Sequence, residues 1–398
     1  MPAPSEKKMG LSPWGFVVTF GVVSLLMDVV YEGARSITGP FLGSLGASAA
    51  LVGAVTAAGE ATALALRLVS GPAADRTHRY WAWTIAGYLL TAAAVPALAL
   101  PLGVAGASAL ILLERVGKAV RSPAKDTLIS HAGSETGRGK AFAIHEALDQ
   151  TGAFAGPLLV AAVLAATGGY STGFAILAIP GAIAMVILFW LARKVPEPAR
   201  YEATVEETEG DAVALSPDFW RYAVFVALTM AGYATFGLIG YHLSERGIAP
   251  VASIPVIYAI AMGVDAIAAL ITGKYYDQIG IKVLVSLPIL AGLGTVLSFS
   301  GGFWTAIAGV LIWGAAMGVQ ESTLRAGVAD LVPKQRRATA YGLFAAFYGA
   351  AWFVGGTLLG YLYEKSTAGL VAVCLAMQVA ALVMLLLTRQ RGSATSDR

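Results

Sequence analysis

Few charges and fewer sulfhydryls mark this sequence. Asp, Glu, Lys and Arg together make up 13% of its 398 residues, and it holds four histidines and one cysteine, Cys374. A lone cysteine excludes an internal disulfide and, beside so few histidines, most metal sites built on thiolate or imidazole. No glycine-rich GKS or GKT loop is present to cradle a nucleotide, and no nucleophile elbow or zinc-ligand spacing occurs. An enzyme is therefore not expected, nor a cofactor, a bound metal or a nucleic-acid partner. A soluble chain of this length would be about a quarter charged. What fills the space is apolar: 57% of residues are hydrophobic and the mean hydropathy is +0.71. Such a composition belongs to a polytopic helical membrane protein.

Apolar windows recur at about 14–33, 48–72, 81–101, 104–122, 139–166, 172–192, 219–244, 251–273, 283–301, 303–324, 338–363 and 369–388. Each is long enough to cross roughly 30 Å of hydrocarbon as a helix. The first window holds Asp28 and Glu32 and lacks a small-residue cleavage site, so it reads as an uncleaved span rather than a signal peptide. The expected architecture is all-α, with twelve transmembrane helices in two pseudo-symmetric six-helix bundles. Residues 1–192 form the first bundle, the polar stretch 193–218 a linker, and 219–398 the second.

Most basic residues fall on one side of these spans: Lys7, Lys8, Arg76, Arg79, Arg121, Lys125, Arg138, Lys140, Arg193, Lys194, Arg336, Arg337, Arg389 and Arg391. Arg35, Arg246 and Lys365 fall on the other. The positive-inside rule then puts both termini and the linker in the cytoplasm. The expected location is a bacterial inner membrane, with the lipid bilayer as the chain's main partner and the chain acting as a monomer.

The two halves repeat. "GPAADRTHRY" follows the second window and "GKYYDQIGIK" the eighth, with Gly71 matching Gly273 and Asp75 matching Asp277. "AFAIHEALDQTGAFAGPLL" in the fifth window aligns with "AYGLFAAFYGAAWFVGGTLL" in the eleventh, so that Gly156 meets Gly355. Repeats of this kind frame a central site.

Windows three, six, nine and twelve carry no charge in their interiors, which marks them as outermost. Charge gathers in the others: Asp28 and Glu32; Glu60 and Arg67; Glu114, Arg115 and Lys118; His145, Glu146 and Asp149; Asp265; Glu321. Ionisable groups inside a membrane face a bundle interior or a wet cavity. Asp28, Glu32 and Arg35 share one helix face, as do His145 and Asp149. Asp28, Glu60 and Asp149 each lie about 15–20 Å into their spans, near the midplane. Two readings stand for these groups. Glu32, Glu114 and Arg67 are as well explained by structural ion pairs, whereas Asp28, Glu60 and Asp149 favour a proton relay with His145. Phe344, Tyr348 and Trp352 form a helical stripe, with Tyr233 and Phe236 on the seventh window. An acidic first half facing this aromatic second half suits an amphipathic or cationic solute, although such stripes are more often plain packing.

Over nearly its whole length the sequence resembles the major facilitator superfamily. "GPAADRTHRY" is similar to that family's loop signature G-x-x-x-D-R-x-G-R, matched by Gly71, Asp75, Arg76 and Arg79, with His78 where the second glycine is usual. The resemblance implies a gating role for these residues and, through the weaker echo, for Asp277. Arg115 in "RVGKAVR" stands where the family often places an arginine tied to proton coupling. "GAFAGP" resembles the G-x-x-x-G-P core of a signature associated with proton-driven exporters, through Gly152, Gly156 and Pro157. "RVGKAVRSPAKDTLI" is similar to a bacterial branch with some members linked to nickel resistance, but no metal-binding cluster accompanies it.

These observations point to a proton-coupled secondary transporter working by alternating access and exporting a small amphipathic or cationic organic compound. Its expected cavity and coupling residues are Asp28, Glu32, Glu60, Glu114, Arg115, His145, Glu146 and Asp149. A proton symporter importing a metabolite is the near alternative. A metal exporter and a non-transporting sensor are more remote ones.

Overall fold

In a computed structural model the described residues are 11–136, 138–198, 216–332 and 337–388. Most of the expected linker lies outside them, as do Lys7, Lys8, Arg336, Arg389 and Arg391. The described chain forms fifteen α-helices joined by short turns and two brief 3-10 segments. In order they are α1 (Pro13–Ser44), α2 (Ala49–Ala65), α3 (Arg67–Thr77), α4 (Tyr80–Ala97), α5 (Val104–Thr136), α6 (Arg138–Thr167), α7 (Tyr170–Ala175) and α8 (Ala178–Lys194) before the linker. After it come α9 (Pro217–Ala231), α10 (Phe236–Glu245), α11 (Ile254–Ile279), α12 (Ser286–Ser298), α13 (Phe303–Leu331), α14 (Arg337–Lys365) and α15 (Thr367–Leu386).

Hydroxyl residues start several of these helices. Ser12, Ser48, Ser216, Thr235 and Ser366 each accept a backbone N–H of the first turn, meeting donors that otherwise lack partners. Pro13 and Pro217 follow two of these caps, where a missing N–H costs nothing.

Nine stretches among the described residues are long and apolar enough to cross a membrane. Helices α4 and α5 fall outside that set. The first is only 18 residues long and opens on Tyr80, Trp81 and Trp83. The second carries charged residues at Glu114, Arg115, Lys118, Arg121, Lys125 and Asp126. As the charge pattern implied, α8, α12 and α15 turn large apolar residues outward, among them Val186, Ile289 and Val379.

Three sequence expectations need correction. The first span does not end near Gly33: α1 runs on to Ser44, so Arg35 lies inside it and not in a loop. Arg121 and Lys125 likewise belong to the long α5, and Arg121 is only 4% exposed. Hydropathy windows end where polar and charged residues accumulate, whereas a helix continues wherever protein surrounds those charges. Third, the seventh window is not one helix. The chain unwinds from Gly232 to Thr235 between α9 and α10. Irregular backbone at this depth needs partners within the protein. The Trp313 indole N–H donates to the Ala234 carbonyl at 2.8 Å, and the Gln378 amide donates to the Thr229 carbonyl at 3.0 Å.

Small residues set the helix spacing. A side chain at Gly156 would run into Val29 and Gly33 of α1, and one at Gly152 into Leu25 and Asp28. Gly355, its counterpart in the repeat, lies as tightly on Ala231 of α9. Each half thus presses the same glycine onto its own first helix.

The halves pack through α2 on α14 and α6 on α11, and their backbones come closest at one end. Where α1 finishes and α2 begins, Gly39 abuts the backbone of Gly237, and Gly53 abuts Gly356 and Gly360. Thr56 and Thr235 share a hydrogen bond of 2.8 Å, and the Glu364 carboxylate accepts the Ala50 N–H at 2.9 Å. Nearer the middle, the Tyr258 hydroxyl donates to Glu32. Among the described residues no hydrogen bond or ion pair joins the halves toward the opposite end. Glu146, Glu321 and Arg325 are exposed there.

Candidate transport site

Helix α1 is buried along most of its length, so its polar residues point into protein. Glu32, Arg35 and two neighbouring helices form one ion-pair network just below the closed end. Arg35 stands 3.4 Å from Glu32 and 2.8 Å from Glu60 of α2. Arg115 of α5 lies 3.0 Å from Glu114 through its Nε and 3.5 Å from Glu60 through an Nη that lacks hydrogen-bond alignment. A cavity of about 30 Å³, room for one or two waters, separates Arg35, Glu60 and Arg115 from Thr235, Phe236 and Gly237 of the other half. Because Tyr258 also bonds Glu32, the network spans both halves and underlies the seal.

A second polar chain lies toward the open end. The Tyr88 and Ser24 hydroxyls share a hydrogen bond of 2.9 Å, and Ser24 meets Nε2 of His145 at 2.8 Å. Nδ1 of His145 is 3.3 Å from Asp149, which lies 3.6 Å from Lys125 of α5. His145 is 3% exposed, and one Asp149 oxygen has no hydrogen-bond partner. Glu146, its neighbour in sequence, points away into the open and holds only the Gln150 amide, at 3.2 Å.

Between the two chains, cations crowd tyrosine rings. The Lys118 ammonium is 4.5 Å and the Arg121 guanidinium 5.5 Å from the centre of Tyr31. Arg121 also covers Tyr88 at 4.7 Å and donates to the Thr91 hydroxyl. Asp28 lies beneath Gly152, 7% exposed and, among the described residues, without an ion pair. The first half is therefore not an acidic surface: Arg35, Arg115, Lys118, Arg121 and Lys125 offset Asp28, Glu32, Glu60, Glu114 and Asp149.

The second half supplies aromatic rings and two acids. Tyr233, in the unwound segment, stacks on Trp313 at 5.7 Å and donates its hydroxyl to the Trp313 carbonyl. Trp352 meets Tyr233 edge-on, Tyr348 meets Trp352, and Phe344 lies between Tyr348 and Tyr222. Phe236 packs on Tyr258 at 4.4 Å. Asp265 of α11 is 2% exposed with one oxygen unpartnered. Gly318 of α13 touches its backbone, and Glu321 follows Gly318 by one turn. Glu321 is exposed, and charges of the first half, Lys118, Arg35, Glu32 and Glu146, act on it; the last three act on Asp265 as well.

The gating-loop residues sit at the open end. Asp75 accepts the Tyr80 hydroxyl at 3.2 Å, and Arg76, Arg79 and Asp277 are exposed. His78 takes a left-handed conformation, φ 51°, so the turn that a glycine would make is made here by histidine. Gly71 lies near Pro123 of α5, and Pro157 is buried within α6. No group of three or more potential metal ligands occurs among the described residues.

Sequence reasoning assigned no role to Ser24, Tyr31, Tyr88 or Tyr258, whose residue types carry no signal by themselves. Lys118, Asp265 and Glu321 were visible as charges in spans but were not placed in the site. The spacing of Arg115, Lys118 and Lys125 could have shown that α5 turns a basic face inward.

A fold with one sealed interface over a charged interior has known counterparts. The sequence profile described as Major Facilitator Superfamily matches residues 16–356. The chain belongs to that superfamily. This transporter is 54% identical over 388 residues to an uncharacterised protein of Mycobacterium tuberculosis, a match covering 95% of one chain and 94% of the other. It is 23% identical over 362 residues to an uncharacterised transporter of the same superfamily from Methanocaldococcus jannaschii, covering 88% and 89%. Among solved structures it is similar to a POT family transporter in complex with 5-aminolevulinic acid, with TM-score 0.75, 14% identity and coverage of 93% and 94%. The nucleoside transporter NupG is also similar, with TM-score 0.71, 15% identity and coverage of 94% and 98%. The transporter is thus a multi-pass membrane protein and a secondary transporter, not an enzyme by family.

Proposed function

We propose that this transporter exchanges protons for a small amphipathic organic compound bearing a cationic group, and that it exports that compound. One observation carries the reading. Among the described residues every hydrogen bond that joins the halves lies at one end or at mid-depth, while Glu146 of one half and Glu321 and Arg325 of the other are exposed toward the other end. That arrangement suits one state of an alternating-access cycle. The positive-inside rule puts the open end, with Arg76, Arg79, Lys274 and Lys282, in the cytoplasm of a bacterial cell. The same rule puts both termini on that side, and on this reading the conformation is inward-facing.

Asp149 carries the proton in this proposal. It faces His145 on its own helix, Lys125 and Arg121 on α5, and Asp28 on α1. The hydroxyls of Ser24 and Tyr88 extend the path through His145. Glu60 serves differently: two arginines hold it, so it links the interior to the seal. Asp265 and Glu321, beside the aromatic residues and without ion pairs, suit a cationic group. The resemblance of "GAFAGP" to exporters supports export over import.

The test uses the full chain in proteoliposomes, with a pH-sensitive dye inside and a panel of organic cations, ethidium included. Proton movement opposite to the solute is expected. Movement in the same direction would make it a symporter, and solute flux without proton movement would end the coupling proposal.

A further inference from the structure

We propose that the transported solute also carries an anionic group, which Lys118 receives, while Glu321 receives the cationic one: a small zwitterion lying across the interface. The inference rests on the transporter reading above and deepens it. Lys118 projects from α5 at mid-span, partly exposed to the interior. Its neighbours in charge are Arg115, Glu32, Glu60, Arg35 and Asp28. Three of the nearby carboxylates are already held: Glu32 and Glu60 by Arg35, and Glu114 by Arg115. Asp28 is buried under Gly152 and forms no ion pair with the lysine. Lys118 itself has no ion pair among the described residues, only the Tyr31 ring. An ammonium at this depth without an anion is costly, and its partial exposure leaves it open to a mobile anion.

Glu321 presents the reverse situation on the facing half. It is exposed on a spanning helix, and Lys118 is among the cations that act on it, yet it forms no ion pair among the described residues. In the same half, both amide atoms of Gln320, the preceding residue, are unpartnered with the residue 3% exposed, and so is the indole N–H of Trp352, which packs on Tyr233 and Tyr348. Unpartnered buried polar groups are rare because each gives up its water without gaining a partner. Two such groups in the half that carries this exposed acid and the stack of rings leave polar capacity there for a solute to meet. One ligand with charges of both signs satisfies both poles, and a simple cation leaves Lys118 unmet.

The experiment measures tryptophan fluorescence of the full chain in lipid nanodiscs. The probes are phenylalanine and aminohexanoic acid, each with its carboxamide and its N-acetyl form. At least one free zwitterion is expected to bind about tenfold or more tightly than either capped form, the loss of one charge-assisted contact. Lys118→Gln should abolish the preference for the acid over the amide and leave the preference for the free amine. Glu321→Gln should do the opposite. Amides that bind as well as the acids would overturn the proposal. So would the absence of any response to both zwitterions while organic-cation flux persists, a result that leaves the transporter reading intact. Loss of all solute-driven flux in the wild-type chain would instead sink that underlying reading.

Discussion

Arg35 on α1 and Glu60 on α2 stand 2.8 Å apart, with side chains 12% and 14% exposed, directly beneath the contact of Gly39 with Gly237. An ion pair so placed ties the charge state of the interior to the closure of the interface. Removing one member leaves its partner buried and uncompensated. Arg35→Ala is expected to destabilise the protein by about 3 kcal/mol, read as earlier thermal unfolding in detergent micelles. Arg35→Ala with Glu60→Gln should recover part of that loss. A double variant no more stable than Arg35→Ala would show that the pair does not account for it.

The seal itself can be forced. A side chain at Gly39 meets the Gly237 carbonyl, so Gly39→Val should hold the closed end apart. A cysteine at Thr56, on the same interface, reports the change with a membrane-impermeant maleimide, since native Cys374 is fully buried. Labelling of Thr56→Cys is expected to be slow, and fast once Gly39→Val is added. Equal rates in the two backgrounds would mean that the glycine contact does not close this end.

Glu364 acts from the rim. Its carboxylate accepts the Ala50 N–H at the start of α2, where a helix favours negative charge. Glu364→Gln should raise the same labelling rate by no more than about fivefold, the scale of one exposed charge interaction. A larger effect would make this contact the principal lock.

Asp149→Asn should abolish proton-coupled flux while solute binding persists, because the asparagine keeps the shape but cannot carry the proton. His145→Gln is expected to slow flux less severely, since Asp149 keeps Lys125. Undiminished pH-driven transport in Asp149→Asn would remove this residue from the pathway.

The matched glycines offer a test of the repeat. Gly156→Leu and Gly355→Leu each drive a side chain into the first helix of their own half. Each is expected to cost about 1–3 kcal/mol through overpacking, visible as lower unfolding temperatures of similar size. A large loss at one position and none at the other would show that the two packings are not equivalent.

The sequence alone determined the membrane class, the helical architecture, the family likeness and the inward placement of charge. These follow from residue type and period: hydrocarbon accepts only long apolar helices, and it drives Asp28, Glu60 and Asp149 toward protein or water. Gly152 and Gly156, four apart, marked a face for close packing, but only the structure shows that α1 is the partner. Tertiary structure decided what each charge touches. Arg35 reads as a loop cation until α1 is seen to continue past it, and Glu60 as a free acid until two arginines close on it. The break after Gly232 leaves no mark on hydropathy, because Trp313 and Gln378, distant in sequence, make it tolerable. Pairing depends on the rotation and depth of several helices relative to one another, and those are set by packing across the whole bundle rather than by any one segment.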